Sequence, residues 1–110
     1  MSDFDLIVSG GTIATASDTF QSDIGITNGR IVALAEGLNG AKATINAAGK
    51  MVLPGGVEAH CHIEQESAAG IMTADDYRSG SISAAFGGTT TVIPFACQEK
   101  GKSLRAAVED

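Results

Sequence analysis

The feature that most constrains this chain is the break at Pro54-Gly55-Gly56, because the hydrophobic pattern before it and the pattern after it cannot belong to one kind of layer. Before the break, short apolar alternations are separated by turn residues. Phe4, Leu6 and Val8 alternate with Asp5, Ile7 and Ser9, as in a strand with one buried face, and Gly10-Gly11 ends it. Thr12–Ala16 is a second short strand, followed by a polar turn over Ser17–Thr19. Asp23–Thr27, Asn28-Gly29 and Arg30–Leu34 form a hairpin, since Asn-Gly supplies the two positive φ angles of a type I′ turn. Ala43–Asn46 and Met51–Leu53 flank a turn at Gly49, and the whole region up to Pro54 reads as short antiparallel strands.

After the break the order changes to strand, helix, strand, helix. Val57–Ile63 is a strand, and Glu64–Met72 a loop. Thr73 caps a helix with Asp76 reaching back in a capping-box arrangement. Tyr77, Ser81, Ala84 and Ala85 share one face of that helix, and Gly87-Gly88 closes it where a left-handed residue is needed. Thr89–Ile93 is a β-branched strand with Pro94 at its end, where the missing backbone donor matters least. Ser103 caps a further helix, Leu104–Asp110. This order is the opening of a parallel α/β unit with a right-handed crossover.

The bulk properties narrow the function class. A net charge of −6, from 7 basic and 13 acidic residues, works against non-specific binding to nucleic acid or to an anionic membrane. No apolar run approaches the ~20 residues of a membrane span, and no basic region precedes an apolar stretch at the N-terminus. Cys61 and Cys97 lie outside any CxxC motif and read as free, buried thiols in a reducing compartment, which makes the cytoplasm the expected location.

The chemistry concentrates at His60-Cys61-His62, which holds both histidines of the chain. Residues two apart on a strand leave the same face, with Cα atoms ~6.6–6.8 Å apart. Two imidazoles so placed can converge on one zinc-like ion while Cys61 points away. A parallel strand delivers its last residues to the carboxyl end of the sheet, where α/β barrels build active sites. An HxH pair taken alone more often belongs to two ordinary hydrogen-bonded histidines.

Val52–His62, Val-Leu-Pro-Gly-Gly-Val-Glu-Ala-His-Cys-His, resembles the first barrel strand of the amidohydrolase superfamily. Thr73-Ala-Asp-Asp-Tyr and Ala84-Ala-Phe-Gly-Gly-Thr-Thr-Thr are similar to the dihydropyrimidinase and D-hydantoinase branch, and the Ile24–Leu34 hairpin resembles that branch's small β-sandwich. The resemblance implies an α/β fold, the start of a (β/α)8 TIM barrel preceded by N-terminal strands of a β-sandwich. Residues 1–53 would belong to the sandwich, and residues 54–110 to the first βαβ unit of the barrel.

By the same resemblance, the complete protein would be a cytoplasmic homotetramer that opens dihydropyrimidine or hydantoin rings to N-carbamoyl amino acids. It would use two divalent ions, usually zinc, that share a bridging hydroxide. His60 and His62 would hold the more buried ion. The family's carbamylated lysine, its two further histidines and its aspartate would lie beyond residue 110, since none of Lys42, Lys50, Lys100 and Lys102 has the lysine's context. The 110 residues alone would then be inactive.

Many relatives carry aspartate where this chain has Glu58. That carboxylate fits either an acceptor orienting an imidazole or an ion-paired group at the bottom of the barrel. Glu64 reads as a solvated loop residue or a hydrogen-bond partner. Ile71 and Met72 sit in the loop that resembles the family's substrate-pocket segment, where they would touch the ring substituent or only pack the loop.

Competing readings are a non-catalytic assembly protein of the same fold, an allantoinase or dihydroorotase, and a self-standing binding module. The retained histidines argue against the first. The unpaired edges of an unfinished barrel argue against the last.

Overall fold

The computed structural model describes residues 3–67 and 69–109. The chain separates into two compact units, Met1–Pro54 and Gly55–Asp110.

The first unit is one sheet of β1 (Phe4–Ala14), β2 (Thr19–Thr27), β3 (Arg30–Ala35), β4 (Ala41–Asn46) and β5 (Met51–Val52). Its order is β3-β2-β1-β4, with β5 also pairing with β1. The β2–β3 hairpin forms as its turn residues dictate, with Asn28 at φ 52° and Gly29 at φ 70° and Thr27 opposite Arg30. Two expectations are corrected.

Gly10-Gly11 does not end the first strand. β1 runs through it, with the register against β2 shifting between Val8 and Gly11. Gly10 takes φ 71°, and its N–H donates to Asp23 Oδ1 at 2.7 Å, so a side chain replaces the ladder partner that the irregularity removes. The pairing is also not all antiparallel. β4 and β5 both run parallel to β1, serving its first and second halves in turn: Ser9 lies opposite Asn46, and Thr12 opposite Met51. Segment 36–40 carries the chain from the β3 edge to the β4 edge, with Leu38 N–H donating to Asp23 Oδ2 at 3.0 Å. One buried carboxylate therefore anchors both the bulge and the crossover.

The core of this sheet is Ile7, Ile13, Ile24 and Ala47, with Ile7 only 2% exposed. The most buried side chain of β1 thus alternates with Phe4, Leu6 and Val8 rather than belonging to their set.

The second unit holds β6 (Gly56–Cys61), α1 (Tyr77–Phe86), β7 (Thr89–Pro94) and α2 (Leu104–Glu109). β6 and β7 pair in parallel, from Gly56 opposite Thr89 to Cys61 opposite Pro94, so the segment is a β-α-β unit. The helix starts later than the Thr73 capping box predicts. Asp76 is the cap, accepting the Ser79 N–H at 2.7 Å, and Glu64 Oε2 accepts the Tyr77 N–H at 3.2 Å. A carboxylate competes well for these unpaired donors at the positive end of the helix, and its acceptance of the Ser79 N–H holds the Asp76 carboxyl below its ordinary pKa. Thr73 Oγ1 instead accepts the Gln65 N–H at 3.0 Å.

Gly88, at φ 85°, supplies the left-handed residue after α1, while Gly87 stays right-handed. Of the expected helix face only Ala84 is partly covered, and Gly80, one turn earlier, is its partly covered neighbour. Ser103 caps α2, its Oγ accepting the Ala106 N–H at 3.2 Å. Asp110, the last residue of the predicted helix, lies outside the described residues. Both cysteines are free thiols, but Cys97 is exposed rather than buried and Cys61 is half-buried.

Candidate metal centre at the end of the first parallel strand

β6 ends at Cys61, so His60 is its penultimate residue and His62 is the first residue beyond it, a shorter strand than Val57–Ile63. The ladder to the neighbouring strand continues one residue past the end of β7, because the Phe95 N–H donates to the Cys61 carbonyl at 3.0 Å. That bond sets Phe95 beside the two histidines. Its ring centroid lies 4.5 Å from His60 and 4.9 Å from His62, stacked on the latter at an interplanar angle of 13°. The two imidazole centroids are 5.9 Å apart, at 65° to each other. Two rings that contact one and the same third ring project to one side.

His62 is held further by Gln65, whose Oε1 bonds His62 Nδ1 and whose Nε2 donates to the Phe95 carbonyl at 3.3 Å. Glu58 does not reach an imidazole. Its Oε1 accepts the backbone N–H of His60 at 2.7 Å, so the carboxylate fixes the strand backbone at His60 and not the ring itself. Glu64 is the partner of the α1 N-terminus described above, the hydrogen-bonding half of its two readings.

The loop after His62 is tied into a narrow ladder. Glu66 and Met72 form an antiparallel bridge, the Ser67 N–H donates to Ile71 O at 2.8 Å, and the Thr73 N–H donates to Gln65 O at 3.0 Å. An open cleft of about 1220 Å³ is lined by His62, Gln65, Met72, Phe95 and Cys97 among others. Met72 thus faces the same space as His62, while Ile71 lines no part of it and is 68% exposed.

The donor set fits a zinc-like ion in kind. Imidazole nitrogens bind zinc at ~2.0–2.1 Å, and the cleft lining contains Glu64, Glu66 and Glu99 with no Lys or Arg, which favours a cation. It is incomplete in number. Among the described residues no group of three or more His, Cys, Asp or Glu side chains is gathered around one point, whereas a zinc site takes about four ligands.

Residue reasoning missed Phe95 and Gln65. Phe95 could have been found by extending the alternation of the Thr89–Ile93 strand past Pro94. Nothing in the sequence marks Gln65, because its role depends on the loop folding back onto Thr73.

No family model matches the chain. It is 41% identical over 104 residues to the D-hydantoinase of Ralstonia pickettii, a match covering 94% of this chain and 22% of that protein. A solved D-hydantoinase structure superposes with a TM-score of 0.87 at 40% identity, covering 96% of this chain and 23% of the other. Dihydropyrimidinase from Brevibacillus agri NCHU1002 gives a TM-score of 0.85 at 38% identity, over 94% of this chain and 22% of the other.

A parallel β-α-β unit carrying two imidazoles at its carboxyl end, preceded by a small β-sheet, is the opening of an amidohydrolase TIM barrel behind β-sandwich strands. Within that class the chain is similar, over 94% of its own length, to D-hydantoinases and dihydropyrimidinases. It spans about a fifth of the length of the curated relatives it matches.

Proposed function

We propose that the protein is a metal-dependent hydrolase of cyclic amides, opening hydantoin or dihydropyrimidine rings to N-carbamoyl amino acids, and that His60 and His62 are its first two metal ligands. The observation that carries this reading is the convergence of the two imidazoles on Phe95 at the carboxyl end of β6, within a chain 41% identical to a D-hydantoinase. A zinc ion, when bound, lowers the pKa of water and polarises the amide carbonyl.

The residues of this chain then have separable tasks. His60 and His62 donate neutral imidazole nitrogens. Glu58 pins the His60 backbone. Phe95 packs against both rings and limits their rotation. Met72 offers an adaptable apolar wall for the ring substituent, with Ile71 beside it in sequence on the outer side of the loop.

The same reading assigns residues 1–53 to the β-sandwich domain and residues 54–110 to the first βαβ unit of the barrel. It includes two zinc ions in each complete site, a homotetramer and a cytoplasmic location. No helix among the described residues is long and apolar enough to cross a membrane.

The test is a chimera in which this chain replaces the matching N-terminal portion of the Ralstonia pickettii D-hydantoinase. The chimera hydrolyses hydantoin and dihydrouracil, with allantoin as the competing substrate. Its His60→Ala and His62→Ala forms lose more than about 100-fold in activity, since even the outer partners of such ligands are worth 10–100-fold. Activity retained without either histidine contradicts the proposal. The 110-residue chain by itself opens none of these rings.

A further inference from the structure

We infer that Gln65 is a positioning residue of this centre. It bridges His62 and the end of β7, and in doing so holds the proton of the neutral His62 ring on Nδ1, leaving Nε2 as the nitrogen with the free lone pair.

The argument starts with the backbone of Gln65, which is fixed from both sides by Thr73. Its N–H donates to Thr73 Oγ1 at 3.0 Å, and its carbonyl accepts the Thr73 N–H at 3.0 Å. The side chain leaves this clamp half-buried and spans two groups: the Phe95 carbonyl at 3.3 Å from Nε2, and His62 Nδ1 beside Oε1.

An amide can be turned by 180° without changing its shape, so its orientation has to follow from its partners. Here one partner decides it. A backbone carbonyl only accepts, so the NH2 group must face Phe95. The oxygen therefore faces His62, and since that oxygen only accepts, Nδ1 must carry the hydrogen. In a neutral imidazole one nitrogen donates and the other accepts, which leaves the lone pair on Nε2.

The same bridge sets the plane of the ring. His62 is stacked on Phe95, and Gln65 ties its Nδ1 edge to the backbone of that same residue. Tautomer and orientation are thus fixed by one side chain before any ion arrives, which lowers the cost of assembling the site. The usefulness of this arrangement rests on the proposed metal role of His62; the tautomer itself does not.

The test is long-range 1H–15N correlation spectroscopy on the metal-free chain with 15N-labelled histidine at about pH 8, above the ordinary imidazole pKa of ~6.5. His62 shows Nδ1–H as its dominant form. Gln65→Leu, which cannot accept a hydrogen bond, moves His62 toward Nε2–H and leaves the His60 signals in place. Gln65→Glu keeps an acceptor at Nδ1 and restores the Nδ1–H form.

A wild-type His62 protonated on Nε2 overturns the inference, as does an Nδ1–H population unchanged in Gln65→Leu. If Gln65→Leu fails to fold, the wild-type assignment alone decides. Zinc added afterwards separates the two ideas, because an Nδ1–H ring that does not respond to zinc leaves the role of Gln65 standing, and the metal reading is then decided by the His60→Ala and His62→Ala chimeras. Where zinc does bind, Gln65→Leu weakens it about 10–100-fold.

Discussion

The two units of this chain are both built around β-strands, yet they differ in what they bury. Every residue that is buried among those described, Ile7, Ile13, Ile24, Ala47, Ser22 and Asp23 included, belongs to the Met1–Pro54 unit. The Gly55–Asp110 unit has none, and Val57, Phe86 and Ile93 are 63%, 91% and 55% exposed. A long central strand flanked on both sides by its own neighbours can enclose apolar side chains. A two-stranded parallel pair with one crossover helix cannot, since parallel sheets are stable only when both faces are covered. The candidate chemistry sits on the second kind of unit, so the residues that mark the function lie on the part of the chain least able to hold its shape alone.

The largest effect that sharpens this contrast is truncation in the core. Ile7→Ala costs roughly 3 kcal/mol of unfolding free energy, while Phe86→Ala, at 91% exposure, changes it by less than about 0.5 kcal/mol. Urea unfolding of the two variants checks this, and equal costs would erase the distinction. Native-state amide exchange gives the next contrast. The β1 and β2 amides exchange more than about tenfold more slowly than those of β6 and β7, a gap of about 1.4 kcal/mol.

A smaller effect tests the hairpin. Gly29→Ala at φ 70° destabilises the first unit by about 1 kcal/mol, read as a lower urea midpoint.

The smallest effect is in pH dependence. The Gly10 N–H, with those of Leu38 and Gly37, holds the Asp23 carboxyl below its ordinary value against the opposing effect of burial. A group whose pKa is lowered by folding adds stability above its unfolded pKa of about 3.9, and that contribution is lost as pH falls through the lower folded value. Melting temperature therefore drops on acidification from about pH 6 to about pH 3, and the drop is shallower in Asp23→Asn. An unchanged slope in that variant would contradict the role given to Asp23.

How much of this was legible in the sequence follows from how local each signal is. The Asn28-Gly29 turn, the Pro54 break and the Thr89 strand depend on neighbouring residues, and they stand where the pattern puts them. Strand direction is not local. β4 and β5 became parallel partners of β1 because segment 36–40 crosses the sheet, and nothing in their composition encodes that. The continuation of β1 through Gly10-Gly11 required a carboxylate thirteen residues away to accept the orphaned N–H. The helix start moved from Thr73 to Asp76 because Thr73 was taken by Gln65.

The site divides in the same way. That the His60 and His62 rings leave one side of the strand could be read from their spacing. Phe95 comes from the adjacent strand and Gln65 from a folded-back loop, so both needed the tertiary arrangement. Glu58 fits an acceptor in the sequence, but its partner is the His60 backbone rather than an imidazole.

The most direct test of the central claim, that two imidazoles leaving one strand share a single cation, is a zinc titration of the 110-residue chain followed at the side-chain nitrogens of both histidines. Weak binding is the expected outcome, with His60 and His62 shifting together along one saturation curve and His60→Ala suppressing the response of His62. Two separate curves, or an undiminished His62 response in His60→Ala, would mean that the rings do not share an ion.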